Sequence, residues 1–561
     1  MKRPRPAPDD GLGNQRSPKR PRSFSPDRLS ILSDELLLRI LFHLPITSLV
    51  RCQRVSYRFH RVAGDSQLWK AAYYDRFVRP RASRVPRIKL HGAASDSLAF
   101  SSKASIWLED DELVRRGTHT DWKRHYKLRH NWARGSCDVS EVEIAEQPSV
   151  PPLLVRSSND IIVTVDATAG LRAWDMKGQH RLLASVGLHS PDGLDGSMAP
   201  TSLGIDAQQK PGLDGLHAIV GFADGRFSVY TLETDPFAFD HRYTHPASST
   251  GMITAVAFSS PYIVTMTQAS LLTLYAFYAS EADSNVPDYG DPRLLSSLKS
   301  HTVWPPLSLS IRTTSHNIVA SIAYALPTYL SGWSVGLQEL RLTHEGQVAD
   351  SRLASAVTQG FVPLSPTMSP SSPSSPSHNT TSPYKSRPRA MTHNGVNPTS
   401  LSYNHPYLLA SHADNTLTLY LVTSTAEELS ISSGSRLWGH TSSVSGAQVS
   451  GRGKAVSVSM RGNELRVWEL EGGFSSSASR RRLASGETSV EIRPERTPLE
   501  QRDAARPISE VVPRSGAGLV LDPEGPGASV ARGWVGFNEE NVVVLREKEQ
   551  GSQALVFYDF S

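Results

Sequence analysis

The stretch that decides the architecture runs Leu32-Ser-Asp-Glu-Leu-Leu-Leu-Arg-Ile-Leu-Phe-His-Leu-Pro45, continues Ile46-Thr-Ser-Leu-Val-Arg-Cys-Gln-Arg-Val-Ser-Tyr-Arg-Phe-His-Arg-Val-Ala63, and closes at Leu68-Trp69. Ser33 is a good helix N-cap, and Asp34 and Glu35 then stand at the positive end of the helix dipole. Leu36, Leu37, Ile40, Leu41 and Leu44 recur at helical spacing on one broad face. Pro45 ends that helix. Thr47 or Ser48 can cap a second helix carrying Leu49, Cys52, Val55 and Phe59, and a third short helix holds Leu68 and Trp69. Three helices this short bury a small core, which leaves apolar surface for a partner.

The stretch resembles the F-box, the adaptor-binding module of SCF ubiquitin ligases. Leu32, Glu35, Leu36, Ile40, Leu41, Leu44, Pro45, Leu49, Cys52, Val55, Ser56, Leu68 and Trp69 match the family pattern. Ser33 stands where the family usually has proline, a mild departure because serine also starts helices. The resemblance implies docking of the SCF adaptor through Leu32, Leu36, Ile40, Leu41, Leu44, Pro45, Leu49, Val55 and Trp69, with Trp69 bracing the third helix.

Bulk composition agrees with a multidomain chain. At 561 residues it is too long for one compact domain. No apolar run approaches a membrane span and the N-terminus is basic rather than apolar, so neither a transmembrane helix nor a secretory signal is expected. Cys52 and Cys137 are the only cysteines, which excludes a disulfide framework and points to a reducing compartment. The net charge of +5 is modest, and its excess is concentrated at the N-terminus, so nucleic acid is not an expected partner.

Residues 1–29 read as a disordered tail with two basic clusters, Lys2-Arg3-Pro4-Arg5 and Lys19-Arg20-Pro21-Arg22. Such pairs of short basic runs resemble a nuclear import signal, with Lys2, Arg3, Arg5, Lys19, Arg20 and Arg22 as its residues, so the nucleus is the expected location and the cytoplasm the second. The F-box occupies 30–76. Residues 77–135 read as a basic helical spacer, in which Asp121 to Arg134 forms a helix closed by a stop at Gly135.

From residue 136 to 561 the pattern changes to short alternating apolar runs bounded by turn residues, the signature of strands. Gly439-His440, then Lys454 to Ser459, then Asn463 to Trp468 resemble a WD40 repeat. Trp174-Asp175 is the one Trp-Asp pair at a strand end; Tyr230, Tyr275 and Tyr420 take the tryptophan's place in weaker copies. Tyr230 to Tyr275 spans 45 residues and Tyr420 to Trp468 spans 48, a propeller-like period. The resemblance implies about seven blades, with six or eight left open because the unit from Trp304 to Leu342 is poorly marked. Ser140 to Ile144 can supply the strand closing the ring. It also implies that Asp224 and Asp414 hold turns, and that His440, a serine in the next strand and Trp468 form an internal hydrogen-bond chain.

Two polar insertions interrupt the propeller, at about 361–398, which is rich in Ser-Pro steps, and at about 473–512; both read as disordered. No catalytic or metal constellation emerges. Gly451-Arg-Gly453-Lys454-Ala455 lacks the glycine and Ser/Thr of a phosphate loop and reads as a hairpin turn. No cofactor is expected.

The fold class is therefore α+β multidomain: a small all-α F-box, then an all-β propeller of about seven blades with a disordered tail and insertions. The function implied is a non-catalytic substrate-recognition subunit of an SCF-type E3 ubiquitin ligase. Its partners are the adaptor, through it the cullin scaffold, and a protein substrate of unknown identity, with no membrane. Some relatives grip phosphorylated peptides with a ring of arginines. Here only Arg461 occupies such a place, while Ala167, Ala223, Gln268, Ala413 and Ser445 fill the others. The alternative is a nuclear WD40 scaffold outside any ligase.

Overall fold

The computed structural model describes residues 28–29, 31–78, 120–158, 160–188, 198–206, 215–277, 292–299, 304–314, 317–328, 332–356, 397–460, 464–470, 489–494, 533–547 and 552–561. The chain divides into two units, one of Met1–Val78 and Thr120–Tyr126, the other of Arg79–His119 and Lys127–Ser561.

The first unit is helical. Helix α1 spans Asp34–Leu41, α2 Ile46–Cys52, α3 Tyr57–Ala63 and α4 Ser66–Tyr73, followed by a π turn at Tyr74–Val78. Where the sequence suggested three helices, four form before residue 79. The expected second helix breaks because Ser56 takes an extended backbone and its Oγ accepts from Phe59 N at 3.2 Å, starting α3 afresh. Val55 thus lies in a turn and Phe59 in α3, not α2. Pro45, rather than Thr47 or Ser48, is the N-cap of α2, and no side chain bonds there. Proline suits a helix start because its missing N–H would have no intrahelical acceptor.

The core of this unit gathers Leu37, Leu41, Leu49, Val62, Leu68, Trp69, Tyr73, Trp122 and Tyr126, all buried. Polar groups are satisfied within it. Ala63 O accepts from both Gln53 Nε2 and Trp69 Nε1 at 2.9 Å, and Lys123 Nζ donates to Gln53 Oε1 at 2.7 Å. Helix α5, Trp122–Arg134, gives its first turns to this unit and its remainder to the other. It ends at Gly135, whose φ of +70° and crowding against Glu491 O admit no side chain. Most of the expected spacer, residues 79–119, lies outside the described residues, as does the basic tail with Lys2, Arg3, Arg5, Lys19, Arg20 and Arg22.

In the second unit the described strands form seven sheets, the blades of a propeller. Blade 1 holds Leu154–Ser158, Ile161–Asp166, Gly170–Asp175 and Leu182–Val186; blade 2 holds Pro200–Ile205, Leu216–Phe222, Phe227–Thr234 and Phe237–His245. Blade 3 follows as Ile253–Ser259, Tyr262–Thr267, Leu271–Ala276 and Arg293–Lys299. Blade 4, the poorly marked unit, is complete: Pro306–Thr313, Ile318–Thr328, Gly332–Leu342 and Val348–Ser355. Blade 5 has Pro398–Asn404, Tyr407–His412 and Thr416–Ser424, with an outer edge in two pieces, Leu429–Ile431 and Ser435–Trp438. Blade 6 has Val444–Val449, Lys454–Ser459, Leu465–Glu469 and Ser489–Glu491.

Blade 7 combines Val535–Phe537, Asn541–Glu547 and Gln553–Asp559 with the first strand of the unit, Ser136–Ala145, which pairs antiparallel to Gln553–Asp559. The ring closes as the sequence suggested, over a longer strand than Ser140 to Ile144. Arg493–Pro494 adds a parallel pair at Ser136 and Cys137.

Part of the expected insertion at 473–512 is therefore strand. Ser489–Glu491 covers the edge of Leu465–Glu469, which would otherwise expose unpaired backbone. Pro398 likewise opens blade 5 rather than ending an insertion. The rest of both insertions lies outside the described residues. Between blades, apolar layers pack face to face, as where Val163, Val165, Leu171 and Ala173 of blade 1 meet Leu203, Ala218 and Val220 of blade 2. Among the described residues no helix is long and apolar enough to cross a membrane.

Candidate functional site

Helix α1 is short and carries a broad apolar face, and the two stripes of that face have different fates. Ser33 Oγ caps it by accepting from Leu36 N at 3.5 Å. Asp34 fixes its start against α3: Asp34 Oδ1 accepts from Arg58 Nε at 2.9 Å and Oδ2 from Arg61 Nη2 at 2.5 Å. Arg58 Nη2 also donates to Leu32 O. With the helix held this way, Leu37 and Leu41 enter the core, while Leu36 and Ile40 stay 50% and 45% exposed. Those two are one turn apart and so share a face.

The other expected contact residues separate in the same manner. Val55 and Pro45 are exposed, and Leu32 and Leu44 are half-buried. Leu41, Leu49 and Trp69 are 3%, 2% and 3% exposed, so they form the unit's core and offer no free surface. That corrects the sequence reading for these three: each fills the space between helices, and Trp69 also spends its indole N–H on Ala63 O. The structure also exposes apolar residues that the spacing did not single out, among them Ile31, Phe42, Val50 and Tyr57, the last 88% exposed. The signal was present, because helices this short and rich in apolar residues, in a unit with a small core, must leave some of them exposed. An exposed cluster of this kind is a surface built for contact.

In the propeller, the expected internal chain forms. Ser457 is the serine, with Oγ 2.6 Å from His440 Nε2 and accepting from Trp468 Nε1 at 2.8 Å. Blade 1 has a related bond, Trp174 Nε1 to Thr164 Oγ1 at 3.0 Å. Asp224 and Asp414 hold their turns: Asp224 Oδ1 accepts from Arg226 N at 3.0 Å, and Asp414 Oδ1 from Thr416 Oγ1 at 2.6 Å. Asp166, which the sequence reading passed over, does more. Its carboxylate accepts from Thr168 N and Oγ1 at 2.8 Å and from Arg172 Nη2 at 2.7 Å, and Arg172 Nη1 reaches Ile144 O on the ring-closing strand at 2.8 Å.

Ala167, Ala223, Gln268 and Ala413 lie in the turns between second and third strands, and Ser445 is buried with its hydroxyl on Val458 O and Ser459 O. Arg461 lies outside the described residues. Ser450 to Lys454 is a tight turn with Gly453 at φ +78°. Among the described residues no group of three or more His, Cys, Asp or Glu side chains could hold a metal ion.

Comparison with known proteins separates the same two parts. The model of the family described as "F-box protein pof12 beta-propeller" matches residues 137–561. A second, described as "F-box-like", matches residues 34–75. The Caenorhabditis elegans "F-box protein dre-1" is 40% identical over 108 residues, which are 18% of this chain and 11% of that protein. Similar solved structures include the WD40 β-propeller domain of Doa1, at 11% identity and TM-score 0.34 over 75% of this chain and 95% of that one. Another is the β-propeller domain of Myceliophteria_thermophila Cps50 (Swd1), at 9% identity and TM-score 0.39 over 75% of this chain and 99% of that one.

Proposed function

This chain belongs to the F-box protein pof12 beta-propeller family, and on that premise we propose that it is a non-catalytic substrate receptor of an SCF-type ubiquitin ligase. The observation that carries the reading is the exposed pair Leu36 and Ile40 on α1, a helix whose opposite stripe is buried and whose start is clamped by Asp34. A rigid apolar face docks without reordering, so little of its binding energy is lost on association. Leu44, Pro45 and Val55 extend the contact. The propeller holds the protein to be ubiquitinated, and the gain is proximity to the ubiquitin-loaded enzyme, which needs no chemistry from this chain. The basic clusters at Lys2 to Arg5 and Lys19 to Arg22 direct the protein to the nucleus.

The deciding experiment is a pull-down of the full-length protein with purified SCF adaptor, comparing wild type with Leu36→Asp plus Ile40→Asp. Wild type should bind, and the double variant should bind at least about a hundredfold more weakly, since two carboxylates would be desolvated without partners. The variant should stay folded because both positions face solvent. A folded wild type that does not bind the adaptor removes the ligase reading and leaves the scaffold. For localisation, replacing the six basic residues by alanine should move a fluorescent fusion from nucleus to cytoplasm; an unchanged nuclear signal would dismiss the import role.

A further inference from the structure

The first strands of the seven blades, from Leu154–Ser158 round to Val535–Phe537, neighbour one another in blade order, and the last neighbours the first. They therefore wall a central channel. Their side chains are uncharged with two exceptions, Arg156 of blade 1 and Arg312 of blade 4. Arg312 is neutralised, with Nη2 3.0 Å from Glu339 Oε1. Arg156 is not: its Nη1 donates to the carbonyl of its own neighbour, Val155 O, at 3.1 Å, and among the described residues no carboxylate pairs with it. Just after the adjacent strand, Asp206 is buried and accepts from Ser260 N at 3.3 Å.

Arg156 is exposed although it sits in the middle of an innermost strand, so the solvent it reaches is that of the channel. Desolvation nevertheless lowers the pKa of its guanidinium. Access to water and loss of hydration coincide where a side chain stands in a narrow aqueous passage walled by protein. An unpaired charge in such a place is costly unless something compensates it. Low-dielectric walls also focus its field along the passage and raise the local concentration of anions.

We propose that the central channel is an oxyanion-binding site centred on Arg156, taking a phosphate- or carboxylate-type group. The planar guanidinium presents donors in a fork that matches two oxygens of such a group, and among the described residues only one of its five N–H groups has a protein acceptor. The group can arrive free in solution or on an acidic or phosphorylated peptide side chain. The second case makes the channel part of target recognition and rests on the receptor reading above. The site itself rests only on the propeller and survives failure of adaptor docking.

The test uses the full-length protein with inorganic phosphate, and in parallel with capped phosphoserine and capped aspartate, at constant ionic strength set by chloride. The unfolding midpoint of wild type should rise with phosphate, and the rise should be lost in Arg156→Gln. A larger rise with capped phosphoserine or capped aspartate than with phosphate identifies a peptide-borne group; an equal or smaller one identifies a free anion. Because the variant could fold poorly, a second measurement stays on wild type: phosphate should slow phenylglyoxal labelling of Arg156, read by peptide mass spectrometry, severalfold. The proposal is overturned by a midpoint rise of equal size in Arg156→Gln, or by no rise in wild type together with labelling that phosphate leaves unprotected.

Discussion

The indole Nε1 of Trp468 donates to Ser457 Oγ at 2.8 Å, and that oxygen also lies 2.6 Å from His440 Nε2. One buried hydroxyl thus joins a side chain entering blade 6 to the third strand of the same blade. Ser457→Ala would strand a buried N–H and a ring nitrogen together. Leaving such groups unsatisfied costs about 1–3 kcal/mol each, so the variant should unfold at clearly lower urea, with the near-ultraviolet signal of Trp468 altered in the native state. Replacement by threonine, which keeps the hydroxyl, should recover part of the loss. A Ser457→Ala midpoint equal to wild type would show that the chain carries no stability.

Blades 5 and 6 should make the propeller sensitive to mild acid. Burial above all holds both His412 and His440 down to about 4, with Asp414 and Glu464 respectively pulling the other way. Unfolded histidine titrates near pH 6.5. As pH falls, the unfolded chain therefore takes up protons before the folded one. The stability these rings contribute is complete above about pH 6.5 and is lost progressively toward about 4, at a limiting slope of about 1.4 kcal/mol per pH unit for each histidine. Burial raises the Glu464 carboxyl, but donors from Thr441 and Arg466 outweigh it and bring the group to about 2, so its own contribution fades only at lower pH. Urea midpoints at pH 7.5, 6 and 5 should fall in that order, and less steeply in His412→Gln. Midpoints that do not change over this range would refute the assignment.

What the sequence made legible follows from what is local. The α1 stripe, the Ser33 cap and the stop at Gly135 depend on near neighbours, and all three form. Which stripe of α1 faces inward depends on α3 and on the Asp34 clamp, so Leu36 and Leu41 looked equivalent although one is exposed and the other is core. Leu49 and Trp69 were misplaced for the same reason. Blade 6 was readable because it carries both its Gly-His and its closing tryptophan. Blade 4 was obscure because its third strand carries a charge, Glu339, at a position that is fully buried. Arg156 gave no signal at all, since an arginine between Val155 and Ser157 looks like any solvent-facing strand residue until seven strands close around it.

Glu339 is compensated from two blades. Arg352 Nη2 lies 2.8 Å from Oε2, Arg312 Nη2 3.0 Å from Oε1, and Ser424 Oγ of blade 5 donates to Oε2 at 2.6 Å. Removing the carboxylate charge leaves two guanidiniums facing each other with little water near Arg352. Glu339→Gln should therefore destabilise by about 3–5 kcal/mol, the cost of breaking a buried ion pair from one side. Arg312→Gln should cost far less, because its side chain is 35% exposed and water can replace the partner. Thermal unfolding of the two variants side by side checks the order, and a reversed order would mean that Arg312 rather than Arg352 holds the charge.

The C-terminal residues are built into the end of the propeller. Phe560 is fully buried and stacks on Trp132 of α5 with ring centroids 4.0 Å apart and planes 10° from parallel. Asn131 Nδ2 donates to Phe560 O at 2.9 Å, and Trp132 Nε1 donates to Glu539 O at 2.8 Å. Lys454 Nζ lies 4.0 Å from the Trp132 ring centroid, a cation–π contact. Phe560→Ala opens a cavity beside a buried indole and should cost about 3–5 kcal/mol. Phe560→Leu keeps most of the volume but not the stacking, and should lose about 1 kcal/mol more than its area alone requires. Comparing the two by denaturant unfolding separates filling from stacking. If both variants unfold with wild type, the last turns of α5 are not held by the chain's end, and Asn131 and Trp132 must find their order elsewhere.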